Sequence, residues 1–370
     1  MIPLDKAIVT KEMLDAAADA LANEPPLFGE SVSRFEDEFA RFCGTAFAVS
    51  TGSGTDALSF ILRALCVKGS KVLTSPMTYI ATANAAVHAG AEPVFCDVEY
   101  ASGNIAPEAA GRAIAKGRMI KALVPVHLHG IPARMDELNG IAERKGSLVV
   151  EDACQAHGAL YGGRRAGALA HAAAFSFNPF KNMTVCGEGG MVTTNDEKLA
   201  QKVRALADSG RETPYTHEHA IIGFSSRMSS VSAAIGRAQL RHLEEWNDDR
   251  RRIARMYSSA LAGIPGISLP PPESARMKPA YNKFAIRLPG REARDAMKES
   301  LRSQGVECDS HFPIPVHLQP PYRAMGHAAG EFPDAERFAD TTLSLPMYVG
   351  MTNEEIGFVS QSVREFIDRI

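Results

Sequence analysis

The chain has 370 residues, 45% hydrophobic and 22% charged, with 40 basic and 43 acidic side chains and a formal net charge of −3. That is enough apolar material for a full core and for two domains, and the near balance of charge gives no footprint for nucleic acid. No uninterrupted apolar run approaches the roughly 18 residues of a membrane span, Met1–Lys6 lacks a basic-then-apolar leader pattern, and six cysteines without a C-x-x-C pair fit reduced thiols, so the chain reads as cytoplasmic.

In chain order, Ser33-Arg34-Phe35-Glu36 has the form of a capping box, and Phe35, Phe39 and Phe42 follow at helical spacing on one core-facing side. From about residue 45 to 195, short apolar runs alternate with helical patterns, as βαβ units feeding a mostly parallel sheet do. The strands are expected at Val72–Thr74, Pro93–Cys96, Ala122–Val126 and Ser147–Val150, the last running directly into Glu151-Asp152. Ligands of open α/β sheets bind beyond the carboxyl ends of strands, which makes Asp152 a candidate for chemistry. A long helical pattern spans about Ser229 to Leu261, with Leu240, Leu243, Trp246, Ile253 and Tyr257 as its apolar stripe. Within it, Arg250-Arg251-Arg252 after Asp248-Asp249 reads as a solvated face. Prolines at 265, 270, 271 and 272 then punctuate the chain before a strand at Phe284–Leu288. The expected organisation is a large domain, 1–245, and a smaller C-terminal α+β domain, 246–370, bridged by that helix.

Three local features bear on chemistry. Thr51-Gly52-Ser53-Gly54-Thr55-Asp56-Ala57-Leu58 is a small-residue turn opening a helix, a place where backbone amides and the helix dipole favour phosphate, although such a turn is often only a turn. Glu151-Asp152-Ala153-Cys154-Gln155-Ala156-His157 sets a strand-end carboxylate that can pair with a protonated pyridine nitrogen or simply cap a helix. Phe175-Ser176-Phe177-Asn178-Pro179-Phe180-Lys181-Asn182 places a lysine in an apolar, aromatic segment expected to be buried. Burial or a neighbouring cation would lower its pKa and make it a Schiff-base nucleophile; the plainer reading is a lysine that buries its stem only. The strand-like Met191–Thr194 after Gly187-Glu188-Gly189-Gly190 would return the chain as a hairpin and bring Lys181 to the same sheet edge as Asp152.

Taken together and in this order, with Pro125-Val126-His127-Leu128-His129-Gly130, Pro315-Val316-His317-Leu318-Gln319-Pro320 and Leu343-Ser344-Leu345-Pro346-Met347, these motifs resemble the DegT/DnrJ/StrS family of pyridoxal-phosphate sugar aminotransferases over nearly the whole chain. The resemblance implies the fold type I architecture, a large domain with a mostly parallel seven-stranded sheet flanked by helices. It further implies that Lys181 holds pyridoxal 5'-phosphate as a Schiff base and that Asp152 binds the pyridine nitrogen. Gln155 would lie near the ring oxygen, Tyr79 would stack on the ring, and Gly54, Thr55 and Ser176 would hold the phosphate. The family's asparagine that reaches the neighbouring subunit's phosphate is replaced here by Ser225, in Gly223-Phe224-Ser225-Ser226-Arg227. A homodimer with shared sites is implied, with Ser225 a shorter donor across it.

The implied reaction is a ping-pong transfer of an amino group from glutamate or glutamine to a keto-sugar, with pyridoxamine phosphate in the second half. The acceptor implied is a nucleotide-linked 3-keto or 4-keto deoxyhexose, and Thr55-Asp56 in the phosphate turn favours the 3-keto form; a keto-cyclitol or a free keto-sugar phosphate is the alternative. A non-catalytic regulatory or scaffold protein on this fold would not need Lys181, Asp152 and Tyr79 together. Family dehydratases carry histidine in place of the lysine, so Lys181 argues against that chemistry. His127, His129, His157 and His317 lack carboxylate and thiol partners at metal-ligand spacing, so no metal is expected, and no G-x-S-x-G elbow supports a serine hydrolase.

Overall fold

The computed structural model describes residues 1–116 and 120–369. Its centre is a seven-stranded sheet of β1 (Phe47–Thr51), β2 (Lys71–Thr74), β3 (Glu92–Phe95), β4 (Ile120–Val124), β5 (Leu148–Asp152), β8 (Ala172–Ser176) and β9 (Gly190–Thr194) in the order β1-β9-β8-β5-β4-β2-β3. Only β9 runs against the rest, pairing Thr51 of β1 and Ser176 of β8 with Gly190. The short strands β6 (Leu160–Tyr161), β7 (Arg164–Arg165) and β10 (Met277–Lys278) form a side sheet.

The alternation of side chains along each strand feeds two apolar layers. Leu123, Val149, Ala173 and Phe175 face a layer with α2 (Glu30–Cys43), α5 (Pro107–Ala115) and α6 (Met135–Glu143). Ala122, Val124, Val150, Ala172 and Ala174 face α3 (Gly54–Ala64), α4 (Ala81–His88) and α7 (Glu197–Ala207). Helix α1 (Lys11–Asn23), capped by Thr10, packs Met13 against Ile235 and Ala238 of α8 (Ser230–Leu240). A second core joins the later part of α9 (Leu243–Leu261) to β11 (Phe284–Arg287), α10 (Arg291–Ser303), β12 (Thr342–Leu345) and α13 (Asn353–Ile367), while Leu243 belongs to the core of the large sheet. Two short helices, α11 (Pro320–Arg323) and α12 (Pro333–Thr341), lie between α10 and β12. Among the described residues no helix is long and apolar enough to cross a membrane.

Four local expectations are corrected. Ser33 does not cap a helix: α2 already starts at Glu30, Ser33 Oγ donates back to Glu30 O, and Glu36 instead accepts from the Ser50 amide and hydroxyl, both at 2.8 Å, tying α2 to β1. Phe35 and Phe39 are fully buried, but Phe42 is only partly so, under the Arg165 guanidinium. The 229–261 pattern is two helices, broken where Arg241 and His242 both turn to Glu12 of α1; the stripe's spacing survives the break, so periodicity alone does not reveal it. The arginine run is not a solvated face. Arg250 and Arg251 are 7% and 6% exposed, and Arg250 donates to the Tyr281 and Met347 carbonyls because the C-terminal core wraps the helix. Burial draws the Arg250 pKa down to about 10.

His157 is fully buried between Phe175 and Phe177, with ring centroids at 5.2 and 5.6 Å, and burial pushes its pKa down to about 3. An imidazole neutral when folded but free to protonate when unfolded, at its ordinary value near 6.5, makes unfolding take up a proton between those values. Stability should therefore fall as pH drops from about 6.5 towards 3. In His157→Phe the gap in Tm between pH 7 and pH 4.5 should narrow relative to the wild type; an unchanged gap in thermal scans would assign the acid sensitivity elsewhere.

Candidate active site

Adjacent residues on a strand point to opposite faces, and at the end of β5 both are carboxylates, Glu151 at 0% and Asp152 at 6% exposure. A carboxylate offers about four acceptor positions. Glu151 fills them all: Oε1 accepts from the Leu169 and Ala170 amides at 2.8 and 3.1 Å, and Oε2 from the Gly167 amide at 2.9 Å and His127 Nε2 at 3.0 Å. His127 is held in the donating tautomer because its Nδ1 accepts from the Ala133 amide. Asp152 has two donors, Thr82 Oγ1 to Oδ2 at 2.7 Å and the Cys154 amide to Oδ1 at 3.2 Å. Glu151 is spent on structure, whereas Asp152 keeps acceptor capacity for something that enters the cavity. Sequence reading placed Asp152 just after the strand; it is the last strand residue, and its donor Thr82, in α4, is bonded at 2.8 Å to Thr78 in the turn before that helix.

Strands β1, β2, β5 and β8 end at the same edge of the sheet, which brings their following loops together. After β1, Ser53 caps α3 through the Asp56 amide at 3.1 Å, and the first amides of the helix have no i−4 carbonyl to bond. Gly54 is required here by close approach: a Cβ on it would lie 2.7 Å from Ser176 Cβ and 3.0 Å from Cys154 Sγ. Gly54, Thr55 and Ser176 thus form one small-residue cradle with a positive helix end. Asp56 does not face it. Its carboxylate accepts from Ser226 Oγ at 2.7 Å, and Ser226 in turn accepts from the Gly52 amide, so Asp56 fastens the turn to the 224–228 segment.

The loop between β8 and β9 carries Lys181. Its backbone is pinned by a chain of amides: Asn182 donates to Ala280 O at 2.8 Å and to Asn247 Oδ1 at 3.0 Å, and Asn282 donates to Phe180 O and to Asn182 Oδ1. Asn247 then donates to His157 O at 2.8 Å, so the loop, α9 and the C-terminal segment are locked together. The expectation of a buried lysine is corrected: Lys181 is intermediate in exposure and Phe180 is 68% exposed, because the segment after Phe177 leaves the core to line a cavity.

That cavity, about 730 Å³, is lined by Lys181, Asp152, Gln155, Tyr79, Gly54, Thr55 and Ser176, seven of the residues singled out in the sequence. Gln155 Oε1 accepts from the His129 amide at 2.8 Å, which leaves its NH2 as the end able to donate to a ligand. Tyr79 stands at the rim, 63% exposed. Ser225 is not among the lining residues; it is exposed and accepts from Arg227 Nη2 at 2.8 Å. Cys154, also in the wall, has its thiol pKa raised well above the usual value, first by burial and then by the Asp152 charge, so it is neutral there. The sequence reading missed Thr78, Thr82, Lys283, His311 and Asp5 as wall or support residues. Thr78 and Thr82 sit four positions apart in the same segment as Tyr79, a spacing that could have flagged them. Lys283, His311 and Asp5 come from three distant segments and had no local signal.

A model of the DegT/DnrJ/EryC1/StrS aminotransferase family matches residues 7–364. A dTDP-3-amino-3,4,6-trideoxy-alpha-D-glucose transaminase of Streptomyces venezuelae is 40% identical over 96% of this chain and 92% of that protein. A UDP-N-acetyl-3-dehydro-alpha-D-glucosamine 3-aminotransferase of Acidithiobacillus ferrooxidans is 37% identical over 95% and 93%. Among solved structures, S. venezuelae DesV in complex with a ketimine intermediate superposes with a TM-score of 0.95 at 38% identity, covering 100% of this chain and 99% of that one. A sheet edge that gathers a lysine, a partly satisfied carboxylate and a helix-end cradle is what such an enzyme needs, and the chain belongs to the DegT/DnrJ/EryC1/StrS aminotransferase family.

Proposed function

We propose that this aminotransferase uses pyridoxal 5'-phosphate to move an amino group from glutamate or glutamine to a nucleotide-linked 3-keto sugar. The observation that carries the reading is the division of labour at the end of β5, which leaves Asp152 with unused acceptor capacity on the wall that also holds Lys181 and the Gly54 cradle. The residues fit the cofactor: the cradle is open only because Gly54 lacks a Cβ, and its donors suit a phosphate dianion. When bound, the cofactor supplies a carbonyl carbon and an electron-withdrawing ring that lower the barrier to losing a proton from the amino donor. The first-turn amides of α3, with the Thr55 and Ser176 hydroxyls, hold the phosphate. Asp152 would accept the pyridine N–H, Tyr79 would cover the ring face, and Gln155 would donate near the ring oxygen. Lys181 Nζ would hold the cofactor, and its amine, when free, would carry the proton off the donor α-carbon.

The acceptor is argued by likeness: both named relatives handle a sugar nitrogen at the 3-position. Asp56 is engaged by Ser226 and so does not reach into the cradle beside Thr55. Ser225 belongs to the proposal as a donor across a homodimer interface, a role supported by its position outside its own cavity beside Ile222, which is 90% exposed. The division into 1–245 and 246–370 falls inside α9, which starts in one core and ends in the other, and the cavity draws walls from both sides of that boundary. Six free thiols suit a reducing, cytoplasmic setting.

Lys181→Ala should lose transamination with its thermal unfolding unchanged; substantial turnover would remove Lys181 from the chemistry. Asp152→Asn should still bind the cofactor but react about 100-fold more slowly, the scale of losing one well-placed electrostatic partner. Adding glutamate or glutamine to the loaded protein should bleach its yellow absorption band, and a nucleotide-linked 3-keto sugar should restore it; restoration by a keto-cyclitol or a free keto-sugar phosphate alone would replace the proposed acceptor. Thr82→Val should lower stability by about 1.5–3 kcal/mol in urea unfolding, because it strips a buried carboxylate of a donor. An effect near zero would mean that Asp152 is held by other means.

A further inference from the structure

The N-terminal segment is a strap. Ile2 donates to Gly305 O at 2.8 Å and accepts from the Glu307 amide, Leu4 donates to Glu307 Oε2, and the Met347 amide donates to Leu4 O, so residues 2–4 are tied to the C-terminal core before the chain passes to α1 on the large sheet side. On this strap Asp5 forms an ion pair with Lys283, and both line the cavity. Lys283 is 4% exposed while Asp5 keeps 26% exposure. Burial lowers the Lys283 pKa and the Asp5 charge opposes that shift.

Among the described residues of the cavity wall, Lys181 and Lys283 are the only lysines or arginines. His311, which accepts or donates at Nδ1 to Ser344 Oγ, is kept neutral by burial and by the nearby lysines, with a pKa of about 3. The proposed reaction commits Lys181 to the cofactor, yet an amino-acid donor brings carboxylate charge that must be matched where it meets the buried wall of the cavity. We propose that Lys283 is the anchor for a carboxylate of the amino donor, and that Asp5 occupies this anchor from the N-terminal strap until the donor displaces it. The Asp5 contact itself shows that a carboxylate fits against Lys283 Nζ.

The inference rests on the aminotransferase reading above, and calorimetry separates the two. Titration of 2-oxoglutarate into pyridoxal-phosphate-loaded protein at pH 7 should show binding to the wild type. Lys283→Gln should weaken it about tenfold or more, the worth of one charge-assisted hydrogen bond, and Asp5→Asn should tighten it by removing the competing carboxylate. Because Lys283→Gln leaves Asp5 unpaired and could unfold the strap, the double variant Asp5→Asn/Lys283→Gln, with no charge left at the pair, should also bind weakly. Equal affinities in all four proteins, no binding to the wild type, or a Lys283 effect on inorganic pyrophosphate but not on 2-oxoglutarate would overturn the anchor. The failure of glutamate to bleach the wild-type absorption band would instead count against the aminotransferase reading, and this leaves the calorimetric result to be judged separately.

Discussion

The organisation of the site depends on how the fold satisfies two neighbouring carboxylates. A buried carboxylate that lacks donors is expensive, so each has to be supplied or left facing something that will supply it. Glu151 receives three backbone amides and a histidine whose tautomer is set by a further amide, and in doing so it holds the 167–170 turn under the sheet. Asp152, on the other face, has one hydroxyl and one amide. The same strand thus yields one carboxylate whose acceptors are all filled and one with acceptor capacity left on the cavity wall, and the alternation of the pleat decides which is which.

The second organising contact is between the lysine loop and the C-terminal core. The loop joining β8 to β9 is long enough to wander, and the amide chain Asn282, Asn182, Asn247 gives its backbone defined partners on two other elements. These groups are buried, so each lost bond would leave an unsatisfied polar atom as well as a looser loop. The cavity is therefore a joint product: the sheet edge supplies Asp152 and the Gly54 cradle, while the C-terminal core and the strap supply Asn282, Lys283, His311 and Asp5. Relative movement of these two walls would change the site without altering any sheet residue.

What could be read in advance followed from short-range rules. The strands around Val72–Thr74, Pro93, Ala122 and Met191 are apolar runs of the right length, and the structure shifts their ends by one or two residues only. The Gly54 turn and Asp152 were visible because glycine beside a helix start and a carboxylate at a strand end each have a local physical meaning. The misreadings share another cause. Ser33 and Glu36 match a capping pattern, but Glu36 has a better use in the Ser50 backbone, and a local motif does not know of a competing long-range partner. Arg250 looks solvated on a charged helix until the Tyr281 and Met347 carbonyls close over it. Lys181 looks buried among aromatics because Phe175 and Phe177 are; two residues later the chain turns out into the cavity.

The sequence by itself determined the alternating α/β class, the order of the site motifs and the identity of the lysine, carboxylate and small-residue turn, since these depend on residue chemistry and on spacing within single elements. Only the tertiary structure decided that Asp152 and not Glu151 has acceptor capacity to spare, that Asp56 turns away to Ser226, and that Asp5 meets Lys283 across 278 positions of chain. Those outcomes depend on which donors arrive from distant elements, and a hydrogen bond or ion pair between remote segments leaves no periodicity in the chain from which it could be read.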